Sequence, residues 1–181
     1  WMQRPDGQSL YFRLSTRSIE QPRRDMTQAL EADIIAGGYW MVPPALGAEL
    51  AIAVCGAVAP EALAAHRTLA EDLPGLGLLV VTSPDRLYAE WHRARHAGGT
   101  SHAERLLGAL APGAGIVTVA DAHPATLSWL GAVRGHRVQP LGVERFGQSG
   151  DIPDLYRHYG LDEDSIVAAA ARLLLEALGR R

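Results

Sequence analysis

LAIAVCGAVAPEALAAHRTLAEDLPGLGLLVV, residues 50–81, decides the reading of this chain. Its first run, 50–55, is apolar at every position and of strand length. It lacks the in-out alternation of a half-solvated strand, and a strand of that kind is buried on both faces, as in a parallel sheet. Pro60 suits the first turn of a helix, read to about Asp72, and the run 75–81 supplies a second strand. Parallel strands need a crossover rather than a hairpin, so the helix is that crossover, expected right-handed.

Downstream the alternation continues. Ser83 and Pro84 cap and open a helix read over 85–96, which Gly98 and Gly99 break. Ser101 starts another, carrying Leu106, Leu107 and Leu110 on one face. A strand at 116–120, a helix at 124–131 and a strand at 138–143 follow. This is the pattern of an α/β fold, a three-layer sandwich around a mostly parallel, roughly five-stranded central sheet. The non-alternating runs 50–55, 77–81 and 116–120 are expected to be its adjacent central strands.

Upstream, the segment 34–42 reads as extended structure with a glycine kink or hairpin bend at Gly37 and Gly38, ended by Pro43 and Pro44. The polar stretch 17–27, with Pro22, reads as a linker, and 11–16 alternates as a half-buried strand does. We therefore divide the chain into a lead-in and linker, 1–30, and an α/β domain, 31–181. The chain opens at Trp1 without an initiator Met, and we expect a piece of a longer polypeptide.

Composition narrows the function. With 181 residues, 48% of them hydrophobic, the chain has enough apolar material for one core. A formal charge of -3 and a pI near 6.2 give no electrostatic case for nucleic acid or an acidic membrane surface. No apolar run approaches the roughly 20 residues that span a bilayer. Cys55 is the single cysteine, which excludes an intrachain disulfide and fits a cytoplasmic location. All 17 basic Lys/Arg positions are Arg, and Asn is absent as well. Schiff-base and P-loop lysines and asparagine-dependent catalytic arrangements are thereby excluded.

The second informative stretch is 143–166, VERFGQSGDIPDLYRHYGLDEDSI. Gly147 and Gly150 bracket a tight turn, and Ser149 or Asp151 is placed to cap a helix that takes Pro153 in its first turn. Phe146 is expected to anchor the turn in the core. Gly160 stops that helix, and Asp162 caps a longer one read over 163–178, with Arg180 and Arg181 past its end. The run Arg145-Phe146-Gly147-Gln148-Ser149-Gly150, with Pro153, Tyr156, Gly160 and the Ala-rich closing helix, resembles the last segment of the transketolase superfamily's C-terminal domain. Val81-Thr82-Ser83 through Leu87 to Trp91, with the early segment 11–16, is more similar to the homodimeric E1 component of pyruvate (2-oxoacid) dehydrogenase complexes.

The resemblance covers nearly the whole chain. It implies the C-terminal domain of a thiamine-diphosphate-dependent enzyme that acts on a ketone or 2-oxoacid, either a dehydrogenase E1 or, as the alternative, a transketolase. It also implies a homodimer, the remaining domains of the same chain and, for an E1, the other subunits of the complex. Such enzymes hold the magnesium of thiamine diphosphate through a GDG motif followed by an asparagine. This chain has neither, so the resemblance implies a domain that supports the dimer and flanks the active site without binding the cofactor itself. No catalytic residue of the family maps onto these positions.

Read from the residues alone, two local sites remain. The turn around Gln148, Ser149 and Gly150 faces a helix N-terminus, where backbone N–H groups suit an anion, although Asp151 competes as the cap. Asp121 and His123 follow the strand 116–120 at the carboxyl edge, where open α/β sheets place ligands, and Asp121 before Pro124 is equally a helix cap. His92 and His96 share a helix face with His102 beyond the glycines, a spacing read as a solvated face ahead of a metal site. Cys55 is read as an inert buried thiol and Trp40, Trp91 and Trp129 as packing residues, while Trp1, Tyr39 and Trp40 are candidates for an apolar interface. A self-standing small-molecule-binding domain and a pure interaction module are the competing function classes.

Overall fold

In the computed structural model, the residues described are 3, 5–7, 15, 17–145 and 147–179. The expected strand 11–16 (except Ser15), Trp1, the Phe146 anchor, Arg180 and Arg181 lie outside them.

Five strands form one sheet: β1 (Gly38–Val42), β2 (Ala48–Cys55), β3 (Gly77–Val81), β4 (Leu110–Ala120) and β5 (Arg137–Leu141), in the order β1-β3-β2-β4-β5. The three non-alternating runs are the central strands. β2 runs parallel to β3, with Ala51 opposite Gly77 and Val54 opposite Val80, and parallel to β4, with Leu50 opposite Gly115 and Cys55 opposite Ala120. β5 continues the parallel sheet at one edge, where Pro140 costs no ladder bond on the open side. β1 closes the other edge antiparallel to β3.

Each face of the sheet carries its own apolar layer. Leu50, Ile52, Val54, Leu78, Val117 and Val119 pack under α2 (Ala59–Ala70) and α8 (Glu163–Leu178). The alternate positions Ala51, Ala53, Leu79, Val81 and Ile116 pack under the other face's helices: α3 (Pro84–Ala97), α4 (His102–Leu107), α5 (Ala125–Ser128) and α6 (Leu130–Arg134). A strand that is apolar at successive positions feeds both layers at once, which is why these runs lack alternation. α7 (Ile152–Tyr159) buries no residue completely, and Gly160, in the left-handed region, ends it.

Four local expectations need correction. The segment 34–42 is not extended throughout: α1 (Gln28–Ala36) takes its first part, capped by Thr27, whose side-chain oxygen accepts from Leu30 N at 3.1 Å. The glycine kink is the helix stop, with Gly37 in the left-handed conformation and its N–H bonded to Asp33 O and Ile34 O. Leu110 lies in β4, opposite Ala48, rather than on the face of α4. The helix read at 124–131 is two short pieces meeting at Trp129. Finally, Ser83, Asp151 and Asp162 occupy N-cap positions without making the side-chain cap hydrogen bond.

Candidate functional site

The connections define where a site can form. β2 leads into α2 on one face, whereas β4 leads into α5 and α6 on the other. Their carboxyl ends therefore form the sheet's switch point, where α/β folds open a crevice. Here that crevice is narrow at its base: Asp121 N donates to Cys55 O at 3.1 Å, and a Cβ at Gly56 would lie 3.0 Å from Asp121 Cβ.

Above this point, the segment preceding α1 delivers Arg17. Its Nη1 and Nη2 donate to Glu61 Oε2 at 2.9 Å and Oε1 at 2.7 Å, and Nη1 also donates to Ala57 O at 3.2 Å. The guanidinium carbon lies 5.4 Å from the ring centroid of Tyr156. Glu61 stands in the first turn of α2, where the helix dipole favours a carboxylate. Both partners are mostly shielded, with side-chain exposures of 23% and 18%. That shielding sets this pair apart from the exposed Arg157–Asp154 pair, at 72% and 71%.

The electrostatics follow from this packing. The hydrogen bond to Glu61 is the largest influence on Arg17 and raises its already high pKa, with burial opposing it. Burial pushes the Tyr156 phenol upward, Arg17 pulls it back, and the Asp121 and Glu61 carboxylates add to the rise. Tyr156 is therefore a neutral hydroxyl near pH 7 rather than a base. Beside the cluster is a cavity of about 240 Å³ lined by Arg17, Glu61, Ile152, Pro153, Tyr156, Arg157 and Asp162.

The residues singled out from sequence are divided by the structure. Asp121 is half-buried and electrostatically coupled to Tyr156, so it belongs to the switch-point cluster. It is not the cap of α5, whose N-cap position is Pro124. His123 is exposed, and its Nδ1 accepts from Ala125 N at 3.2 Å, so a first-turn N–H of α5 finds its acceptor on the residue before the N-cap position. Gln148, Ser149 and Gly150 are exposed and do not line the cavity.

The histidines separate as well. His92 and His96 are exposed with ring centroids 4.6 Å apart, whereas His102 is buried with its Nε2 2.8 Å from Gly38 O. A carbonyl only accepts, so Nε2 carries the proton there and Nδ1 faces the Arg105 guanidinium at 3.4 Å. Cys55 ends β2 half-buried rather than fully enclosed. Trp91 is buried against Trp129 at a ring distance of 5.4 Å, and Trp40 Nε1 donates to Leu106 O at 3.0 Å, as packing roles require.

Sequence reasoning missed Arg17, Glu61 and Tyr156 as a group. Arg17 and Glu61 are 44 positions apart, and only the fold brings them together. The clues were slight: an arginine in a polar stretch and an acid in a helix's first turn.

The donor set can hold a cation through carboxylate, carbonyl and aromatic ring. It does not suit a magnesium diphosphate group. Among the described residues, no three His, Cys, Asp or Glu side chains form a metal-binding group, and of the carboxylates lining the cavity Glu61 is already paired with Arg17. No helix among the described residues is long and apolar enough to cross a membrane.

These features define an α/β domain with a transketolase C-terminal-domain-like fold, and the comparisons add a relative. The chain is 32% identical over 179 residues to a plasmid-encoded transketolase of Cupriavidus necator, spanning 97% of this chain and 23% of that protein. It thus spans about a quarter of the length of this transketolase homologue. Among solved structures, transketolase from Leishmania mexicana superposes with a TM-score of 0.56 at 18% identity, over 78% of this chain and 18% of that one. A split-gene transketolase, solved as an inactive beta4 tetramer, gives 0.54 at 19% identity over 77% and 43%. No family model matches the chain.

Proposed function

We propose that this chain is the C-terminal domain of a thiamine-diphosphate-dependent enzyme of the transketolase type. In that role it supports subunit assembly and flanks an active site built by other domains. The observation that carries the reading is the near full-length match at 32% identity to the Cupriavidus necator transketolase, aligned with only 23% of that protein. The transketolase reading is preferred to dehydrogenase E1 because the sequence relative and the two fold neighbours described above are transketolases.

Thiamine diphosphate and magnesium belong, on this reading, to the preceding domains, since the donor set here does not fit them. On this reading the lead-in 1–30 joins those domains to 31–181, and α1 (Gln28–Ala36) spans that boundary. The tetramer formed by the split-gene neighbour supports self-association of a chain carrying this domain. Asp121, His123 and the turn at 148–150 serve local structure, and the contacts of Asp121 and His123 at the switch point and at α5 support that assignment.

The test is the enzyme translated from the complete reading frame. Ketol transfer between sugar phosphates is the expected activity. Oxidative decarboxylation of pyruvate would restore the E1 reading, and an upstream frame without a GDG motif and downstream asparagine would defeat both. Calorimetry on the 181-residue chain should show no uptake of thiamine diphosphate with magnesium.

A further inference from the structure

The segment 17–27 is polar and largely exposed, yet arginines tie it to the domain at two places. Arg24 Nη2 reaches Met41 O at 3.4 Å, and its guanidinium lies 5.1 Å from the Tyr39 ring centroid, an exposed contact at the sheet edge. Arg17 is held differently: a carboxylate, a backbone carbonyl and an aromatic ring converge on it, and both ion-pair partners are more than three-quarters shielded from solvent.

We propose that Glu61, the Ala57 carbonyl and Tyr156 form a guanidinium-binding pocket whose resident ligand is Arg17, fastening the segment ahead of α1 at the sheet's switch point. The geometry selects a guanidinium over an ammonium. Two N–H groups of one planar fork meet the two oxygens of one carboxylate at 2.9 and 2.7 Å, a match that an ammonium cannot make. The same fork supplies the bond to Ala57 O, and the weakly hydrated cation rests near the Tyr156 ring. The crevice where related architectures place small ligands is thus taken by the chain's own side chain. This inference does not depend on which thiamine enzyme the domain serves.

Chemical rescue tests it. In Arg17→Ala, trypsin cleavage after Arg23 and Arg24, mapped by mass spectrometry, should accelerate roughly five-fold, the factor expected for losing one well-made shielded pair. Millimolar ethylguanidinium should slow it again, beyond any slowing of an unstructured arginine peptide digested in the same tube, whereas ethylammonium at the same concentration should not. Arg17→Lys keeps the charge without the fork and should be cleaved almost as fast as Arg17→Ala. Glu61→Gln should loosen the segment without responding to ethylguanidinium. The exchanged pair Arg17→Glu with Glu61→Arg should recover part of the protection, which also covers the case in which a single variant folds poorly. Wild-type cleavage rates in Arg17→Ala, or equal rescue by the two cations, would overturn the proposal.

Discussion

Ser101 and Glu104 cap α4 reciprocally: the Glu104 carboxylate accepts from the Ser101 N–H and hydroxyl, each at 2.7 Å, while Ser101 Oγ accepts from Glu104 N at 3.1 Å. Ser101 is fully buried, so water cannot replace the lost partner. We expect Ser101→Ala to cost about 1 to 2 kcal/mol, the upper part of the range for N-cap removal. Chemical denaturation would check this, and a midpoint unchanged from wild type would contradict the capping account. The bonds from Ser101 hold the Glu104 carboxyl below its ordinary range, so this contribution is present near neutrality and is lost as pH falls through that lowered value.

Thr118 sits two residues from the carboxyl end of β4, 1% exposed, on the face packed by α3 to α6, and its hydroxyl has no hydrogen-bond partner among the described residues. A buried hydroxyl without a partner carries its desolvation cost uncompensated, and valine has nearly the same shape. Thr118→Val should therefore be neutral or stabilising by about 1 kcal/mol, an unusual outcome for a core substitution. A loss of more than about 1 kcal/mol in equilibrium unfolding would reveal a partner for that hydroxyl.

The sheet was legible because its three central strands are buried on both faces, and two-sided burial leaves a run without in-out alternation at 50–55, 77–81 and 116–120. Elements without that constraint were harder to read. α1 has no fully buried residue, and Ile34 and Ile35 at its end suggest a strand by composition, so only the Thr27 cap and Gly37 stop reveal a helix. The first half of β4 is disguised by Pro112 and Gly113, although Leu110 pairs with Ala48. At the site, Asp121 was legible because a strand's carboxyl end has a known place in an α/β fold. Arg17 was not, because a bond across 44 positions leaves no periodic trace.

His136 is 7% exposed between α6 and β5, and both ring nitrogens lack a hydrogen-bond partner among the described residues. Burial pushes its pKa below the ordinary imidazole value and Arg134 adds to the shift, while the nearby Leu107 backbone opposes it more weakly. The unfolded chain therefore takes up this proton before the folded one does. Stability from His136 is complete above about pH 6.5 and declines as pH falls from there toward the lowered folded value. Thermal midpoints measured from pH 7.5 down to pH 5 should show this slope, and His136→Gln should flatten it. An equal slope in the variant would assign the effect to other groups.

The turn at 147–150 provides the sharpest comparison between the two glycines that sequence treated alike. Gly147 has φ of +108°, a region that side-chain-bearing residues rarely adopt, and a Cβ there would meet nothing within 4 Å. Its cost on substitution is therefore backbone strain alone. Gly150 does not have positive φ, and its first Cβ neighbour is Leu155 at 3.7 Å, an ordinary contact. Both positions are exposed, so neither comparison is confused by core packing. We expect Gly147→Ala to destabilise by about 1 kcal/mol and Gly150→Ala to be nearly silent, with a small gain if the unfolded chain loses freedom. Nothing in the sequence separates the two glycines, and the difference in φ is read from the structure. Urea unfolding of the two variants decides the matter: equal midpoints, or a larger loss at Gly150, would mean that the turn is built around the second glycine.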